Sequence, residues 1–587
     1  MEGNLSDLPV RNAANAPDSV AFNTPSSGTW ADITNAEFLA DVRALAKGLM
    51  ASGVGLGDRV AIMSKTRYEW TLVDFAIWTA GAVPVPIYET SSAEQVSWIV
   101  RDSGAAAVIL ETPTHVGILA EAFLDHLPEL RRVWQIDAGG LDELRVAGCE
   151  VTDEAVEARR CQVCRSDIAT IVYTSGTTGR PKGCQLTHDN FMALAENVAV
   201  RFKLVLEVED ASTLLFLPLA HVLARFIEVL CVHAGVRMGF NADFKNLITD
   251  FGTFRPTFIL AVPRVFEKIY NSAEQKAVSE GKGKIFRSAT ATAIAWSLAQ
   301  EHGGPGVLLR ARHALFDKLV YGKLRAPMGG KVTYAFSGGG PLGARLGHFY
   351  RGIGLTILEG YGLTETTAPA TQNTPELLKI GTVGMPVAGG SVQIADDGEI
   401  LIKGNNVFLA YRNNETATSE AFVDGWFHTG DLGQLDDEGF LTITGRKKEL
   451  LITAGGKNVV PALLEDRLRA NPLVSHCIVV GDQRPFIAAL ITLDPQMLPV
   501  WARNNKLPSL SMEEACTHDA VRAELQRAVD DANRSVSKPE SIRKFTVLAG
   551  DFTEENGCLT PSLKLKRNMV MKDYASQVEA LYSGPRE

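Results

Sequence analysis

Ile168-Ala-Thr-Ile-Val-Tyr173 runs directly into Thr174-Ser-Gly-Thr-Thr-Gly-Arg-Pro-Lys-Gly183. The first six residues are apolar and rich in branched side chains, which predicts a strand. The next ten predict a loop. Four hydroxyls (Thr174, Ser175, Thr177, Thr178), the glycines Gly176 and Gly179, and Lys182 lie within nine residues. Glycine lets a backbone turn its N–H groups inward, so such a loop can wrap phosphate oxygens. It is not a Walker A loop, which needs Gly-Lys followed by Ser or Thr; here Pro181 precedes Lys182 and Gly183 follows it. On composition alone a plain surface turn is the competing reading. Downstream, Thr187 is placed to cap a helix, with Phe191, Leu194 and Val198 at helical spacing.

The strand–loop–helix order repeats outward. Val60–Met63, Ala82–Ile87 and Ala105–Leu110 read as strands. Trp70–Ala80 and Val116–His126 read as helices. Residues 266–326 are long and helical, and Val332–Phe336 is a strand that enters Ser337-Gly338-Gly339-Gly340-Pro341. Short strands and turns dominate 381–445. The last 140 residues or so regain their own alternation, with strands at 477–480, 487–493 and 545–548 and a helix near 512–535. The expected class is α/β: a large N-terminal lobe of α/β subdomains plus a small β-subdomain (1–445), a hinge (446–449), and a small mobile α/β C-terminal domain (450–587).

Composition narrows the function. The 587 residues carry 58 Lys and Arg against 68 Asp and Glu, a net charge of −10. That speaks against a general nucleic-acid binder, which needs clustered cations. Eight cysteines are too few for a disulfide framework, and Cys161-Gln-Val-Cys164 has no second pair at zinc spacing. The N-terminus has no apolar signal core, and the longest apolar stretch, 75–88, is broken by Pro84 and Pro86. A cytoplasmic protein with no transmembrane segment, open to peripheral membrane contact, is expected; the oligomeric state is not legible.

Further candidate residues follow. Glycines at Ser337–Pro341 would let a flat ring lie against the backbone. Tyr361-Gly362-Leu363-Thr364-Glu365 follows an apolar strand; Glu365 could hold Mg²⁺, and Thr364 could contact phosphate. Asp431, in Trp426-Phe-His-Thr-Gly-Asp431, could accept both hydroxyls of a ribose. His221, after Pro218-Leu219-Ala220, is a candidate pocket residue. Lys564 sits in Leu559-Thr-Pro-Ser-Leu-Lys-Leu-Lys-Arg567. Each alone fits a structural role as well.

In order and spacing these pieces resemble the adenylate-forming superfamily, and within it bacterial long-chain fatty-acid–CoA ligases. Two stretches, Leu217–Arg225 and Phe316–Arg325, carry the closer likeness. The resemblance implies that 174–183 is the phosphate loop and Ser337–Pro341 the adenine side. It also implies that Tyr361–Glu365 carries the Mg²⁺ ligand and Asp431 the ribose contact. Arg446 would stand near the nucleotide, Lys448 would be the pivot, and Gly455, Gly456 and Lys457 would face CoA. The family's C-terminal lysine usually follows Ser-Gly, whereas Leu563 precedes Lys564 here. Matching Thr560, Ser562 and Arg567 selects Lys564, with Lys566 two residues on and on the same face of a strand.

The implied chemistry is ATP-dependent formation of acyl-AMP from a fatty acid, then transfer of the acyl group to CoA. The acyl chain would need an apolar tunnel, sought between 221–262 and 338–362. A carrier-linked fatty-acyl-AMP ligase, a ligase for medium-chain or aryl acids, and an inactive acyl-nucleotide binder are the alternatives. The intact motif set argues against the last.

Overall fold

The computed structural model describes residues 3–26, 28–122, 127–174, 180–560 and 565–583. The α/β class holds. Buried apolar side chains from Leu5 to Leu441 form one continuous core, with a satellite around the parallel sheet that includes Arg59–Met63. The next clusters begin at Leu451 and draw only on later residues. The apolar contacts therefore change hands across residues 442–450, around the expected hinge.

In the large lobe, strands Val83–Ile87, Arg59–Met63, Ala105–Leu110 and Arg132–Gln135 form a parallel sheet. The side chains of the first three are nearly all buried, which is why these strands read as unbroken apolar runs. A second sheet orders Phe258–Ala261, Tyr334–Ser337 and Thr356–Leu363 in parallel, then turns antiparallel through Ala368–Gln372. The strand Ile168–Thr174 pairs antiparallel with Lys182–Thr187, so the loop between them closes a hairpin. Its residues 175–179, including Ser175, Gly176, Thr177, Thr178 and Gly179, lie outside the described residues.

Thr187 caps the helix His188–Arg201 as its sequence predicts. Its Oγ1 accepts from the Asn190 N–H at 3.2 Å, and its own N–H donates to Asn190 Oδ1 at 2.7 Å. The helix expected at 116–126 runs Pro113–Ala122, and 123–126 are outside the described residues. The expected β-rich region folds as a sheet of Gly390–Ile394, Glu399–Gly404 and Trp426–Leu435, with Leu441–Arg446 on the far edge of the last.

The C-terminal part has its own sheet. Val474–Val480 and Ile487–Leu493 are antiparallel, and Ile542–Leu548 joins in parallel. The single helix expected near 512–535 is two, Met512–Thr517 and Asp519–Asn533, because His518 adopts extended backbone and caps the second. The strand face expected to carry Lys564 and Lys566 falls partly on 561–564, outside the described residues. Among the described residues Leu559 bridges Leu565, and Lys566 stands at the N-terminal boundary of the helix Arg567–Asp573 without a side-chain cap. Lys564 lies outside the described residues. No described helix is long and apolar enough to cross a membrane.

Candidate active site

Adjacent sheets bring the candidate side chains together. Thr356–Leu363 carries Tyr361, and Trp426–Leu435 carries Asp431. The Tyr361 hydroxyl donates to Asp431 Oδ2 at 2.7 Å. Arg446, opposite Asp431 in the neighbouring strand, donates through Nε to Oδ1 at 2.7 Å. Both carboxylate oxygens are thus held while Asp431 is almost wholly buried. Burial, then the Asp431 charge, pushes the Tyr361 phenol well above its ordinary pKa, so it stays a donor. Each Asp431 oxygen keeps acceptor capacity for a hydroxyl.

The turn before Asp431 is braced from outside. Gly430 takes φ +73°, a conformation glycine adopts without strain, and its N–H donates to Glu399 Oε1 at 2.8 Å. Glu399 also holds Lys447 at 2.8 Å and faces His428 at 3.1 Å. Lys447 is thereby fixed to the large lobe, while the next residue, Lys448, is exposed.

Glu365 sits in a single helical turn, Thr364–Thr366, directly after Leu363. The Tyr411 hydroxyl donates to its Oε1 at 2.8 Å. Lys182 Nζ lies 4.8 Å from the Tyr411 ring centre. Tyr411 therefore bridges the candidate Mg²⁺ carboxylate and the candidate phosphate lysine. Sequence reasoning missed it, since Tyr411 is 46 positions from Glu365 and reaches the site only because its short strand pairs with Lys182–Thr187. The backbone after Glu365 is strained: Thr367 and Ala368 take φ of +56° and +87°. Such conformations cost about 1–3 kcal/mol each and persist where neighbours enforce them. Here Thr367 Oγ1 donates to Asn406 O, and Thr366 Oγ1 to Ala368 O. Gly362 is required by close approach, since a Cβ there would meet Ala368 O at 1.7 Å.

Ser337 ends the neighbouring strand, opposite Glu359. Its Oγ is buried and has no hydrogen-bond partner among the described residues. A buried orphan hydroxyl beside Gly338, Gly339 and Gly340 suits a polar ligand edge. A Cβ at Gly338 would meet Gly360 O and Leu223 Cδ2 at 3.5 Å, and one at Gly339 would reach Val262. The two segments expected to flank the tunnel do approach each other at this turn. His221 caps the helix Val222–Ala234, its Nδ1 accepting from the Leu223 N–H at 3.2 Å. Glu359, which the sequence reading passed over, is buried. Burial raises its pKa to about 7 against the opposing hydrogen bond from the Leu342 N–H.

One supporting pair lies deeper. Arg225 and Asp74 are fully buried and joined through both guanidinium and carboxylate arms, Nε to Oδ2 at 2.9 Å. Arg225 also donates to Thr170, on the strand that leads into the 174–183 loop. Arg225 thus ties that strand to the helix that starts at Val222.

Gly455, Gly456 and Lys457 stand apart from this constellation. They form an exposed turn between Leu451–Ile452 and Asn458–Val459, and Lys457 lies 3.5 Å from Glu540 of its own domain. The described contacts between the two parts are sparser. The helix Pro263–Ser279 packs on Met497–Asn504, Asn504 Nδ2 donates to Gln275 Oε1 at 2.9 Å, and Arg264 lies 3.7 Å from Asp494.

The donor set fits a nucleotide with Mg²⁺: one carboxylate, a nearby lysine, a paired aspartate and an orphan hydroxyl. No group of three or more candidate metal ligands occurs among the described residues. A single carboxylate suffices where phosphate oxygens complete the shell.

Comparison with known proteins agrees. The profile "AMP-binding enzyme" matches residues 10–412, and "AMP-binding enzyme C-terminal domain" matches 448–586. The long-chain-fatty-acid–CoA ligase FadD15 of Mycobacterium tuberculosis is 52% identical over 584 residues, 99% of this chain and 97% of the relative. The long-chain-fatty-acid–CoA ligase ACSBG1 of Homo sapiens is 30% identical over 608 aligned residues, 96% of this chain and 83% of the relative. Among solved structures, O-succinylbenzoate coenzyme A synthetase from Bacillus subtilis, in complex with ATP and magnesium ion, has TM-score 0.68 at 24% identity. That match covers 97% of this chain and 99% of that one. The likeness to that structure shows a shared fold.

Proposed function

The chain belongs to the AMP-binding enzyme family, and from that membership we propose that it is a long-chain fatty-acid–CoA ligase. It activates the acid with ATP and passes the acyl group to CoA. The observation that carries this reading is 52% identity, over 99% of the chain, to a ligase of that name.

In the first half-reaction a fatty carboxylate oxygen attacks the α-phosphorus of ATP; the bond to pyrophosphate breaks and acyl-AMP forms. Nucleophile and phosphate are both anions, so charge neutralisation is the main task. Thr174, Ser175, Gly176, Thr177, Thr178, Gly179 and Lys182 would hold the phosphates, and Lys564 would meet the developing charge. Mg²⁺ on Glu365, beside Thr364, would offset phosphate charge. Asp431 would take the ribose hydroxyls with Arg446 close by, and Ser337, Gly338, Gly339, Gly340, Tyr361 and Gly362 would line the base side. The Tyr361–Asp431–Arg446 chain around the buried Asp431 supports this, because it needs no large rearrangement to accept two hydroxyls.

In the second half-reaction the CoA sulfur attacks the acyl carbon, and AMP leaves with the bonding electrons. No acyl-serine step is needed. We place a hinge at 446–449, with Lys448 as pivot, between domains 1–445 and 450–587. Rotation would withdraw Lys564 and bring Gly455, Gly456 and Lys457 to the site. The change of core between Leu441 and Leu451 and the sparse contact between the domains support such a hinge. The acyl chain would run from the Gly338 turn past Leu223 and the His221 cap. At about 0.8 kcal/mol per buried CH₂, chain length has leverage there. The protein is placed in the cytoplasm, consistent with all eight cysteines standing as thiols.

The test is AMP and acyl-CoA formation with ATP, Mg²⁺, CoA and acids of two to twenty carbons. CoA-dependent turnover should peak at long chains, and Lys564→Ala should lose about 10²–10³-fold in adenylation. Acyl-AMP that accumulates regardless of CoA would overturn the reading in favour of a carrier-linked ligase.

A further inference from the structure

The helix Val307–Phe316 turns an apolar stripe to solvent. Its inner face packs through His313, stacked 4.0 Å from the Trp296 ring, and through buried Phe316. Its outer face presents Leu308, Ala311 and Leu315, and Leu319 continues the same side at helical spacing. Val307 and Leu308 are each 84% exposed, at the tip that follows Gly303-Gly-Pro-Gly306. Single exposed leucines are ordinary, but a contiguous stripe marks a contact surface. Ile285 and Leu298, on the helix Gly283–Glu301 packed alongside, are exposed as well.

Charge selects the partner. Residues 281–331 hold nine Lys and Arg against two acidic residues, a net +7, whereas the rest of the chain carries −17. Both acids are already paired, Asp317 with Arg325 at 2.8 Å and Glu301 with Arg351 at 3.2 Å. Arg310, Lys318 and Lys323 are exposed around the stripe. An apolar strip flanked by cations matches acyl chains beneath anionic headgroups. The net negative charge of the rest of the chain favours presenting this face to such a surface. We propose that the Val307–Leu319 stripe docks this protein on an anionic lipid surface. The helix Gly283–Glu301 in turn packs along Ala344–Gly352, which follows the Ser337–Pro341 turn, so two helices connect the docked face to the candidate site.

The proposal rests on the surface alone, and its test uses no substrate. The full-length chain is sedimented with vesicles of phosphatidylcholine, with and without about one third phosphatidylglycerol. Binding should require the anionic lipid and weaken in high salt. Val307→Ser with Leu308→Ser should cut partitioning at least about tenfold at an unchanged melting temperature. Leu308→Ser alone serves if the double variant melts lower. Lys318→Glu with Lys323→Glu should weaken binding to anionic vesicles. Three results would overturn the proposal: no binding to anionic vesicles, equal partitioning of all variants, or equal binding to neutral vesicles. Concentration-dependent dimers that the serine variant abolishes, without vesicle binding, would also overturn it and assign the stripe to a second copy of the chain.

Discussion

The cluster around Asp431 and the contact between the domains are built differently. Around Asp431 every polar arm is answered: Tyr361 and Arg446 hold the carboxylate, and Glu399 fixes the turn before it together with Lys447. Between the domains, the described polar contacts include the Asn504 amide donating to Gln275 Oε1 and O and Arg264 at 3.7 Å from Asp494. For the nucleotide role proposed for it, such pre-pairing around Asp431 would lower the reorganisation cost of binding and transition-state stabilisation. In the proposed mechanism, a lightly held second domain would exchange one set of catalytic groups for another. The contrast indicates where the protein tolerates change and where it does not.

The largest effect is expected deep in the large lobe. Arg225→Met strands Asp74 without its partner in a fully buried position and should cost about 3–5 kcal/mol of stability, read by denaturant unfolding. Next is Asp431→Ala, which should lower kcat/KM for ATP about 10²-fold, since hydrogen bonds to a buried charge are lost while Arg446 and Tyr361 go unpaired. An unchanged ATP dependence would remove Asp431 from the nucleotide site.

Glu359 gives a pH signature. Its folded pKa of about 7 lies above the ordinary 4.5. The protonated form is therefore favoured in the folded state, and its contribution is complete below pH 4.5 and lost as pH rises through 7. At about 1.4 kcal/mol per unit the whole arm is on the order of 3–4 kcal/mol at most. Glu359→Gln should flatten it, which unfolding midpoints at pH 5 and pH 8 would reveal. The smallest effect belongs to the domain contact: Asn504→Ala should change stability by less than about 1 kcal/mol.

What the sequence disclosed follows from range. Thr187 and its helix were legible because cap and partner are three residues apart. The strands at 59–63 and 105–110 were legible because burial on both faces leaves continuous apolar runs. The motif residues Tyr361, Glu365 and Asp431 could be named from the family resemblance and do lie in neighbouring strands and turns. Tyr411, Glu359 and the Arg225–Asp74 pair could not, because each matters through a partner set by tertiary pairing.

The most direct test of a rigid nucleotide side served by a turning domain is Lys448→Pro, with the two half-reactions measured separately. Proline fixes one backbone torsion at the pivot and leaves the Asp431 and Glu365 contacts in place. Adenylation, read as acyl-AMP and pyrophosphate, should stay within a few-fold of the parent, and acyl transfer to CoA should fall by about 10²-fold or more. Equal loss in both steps, or no loss in either, would contradict the hinge.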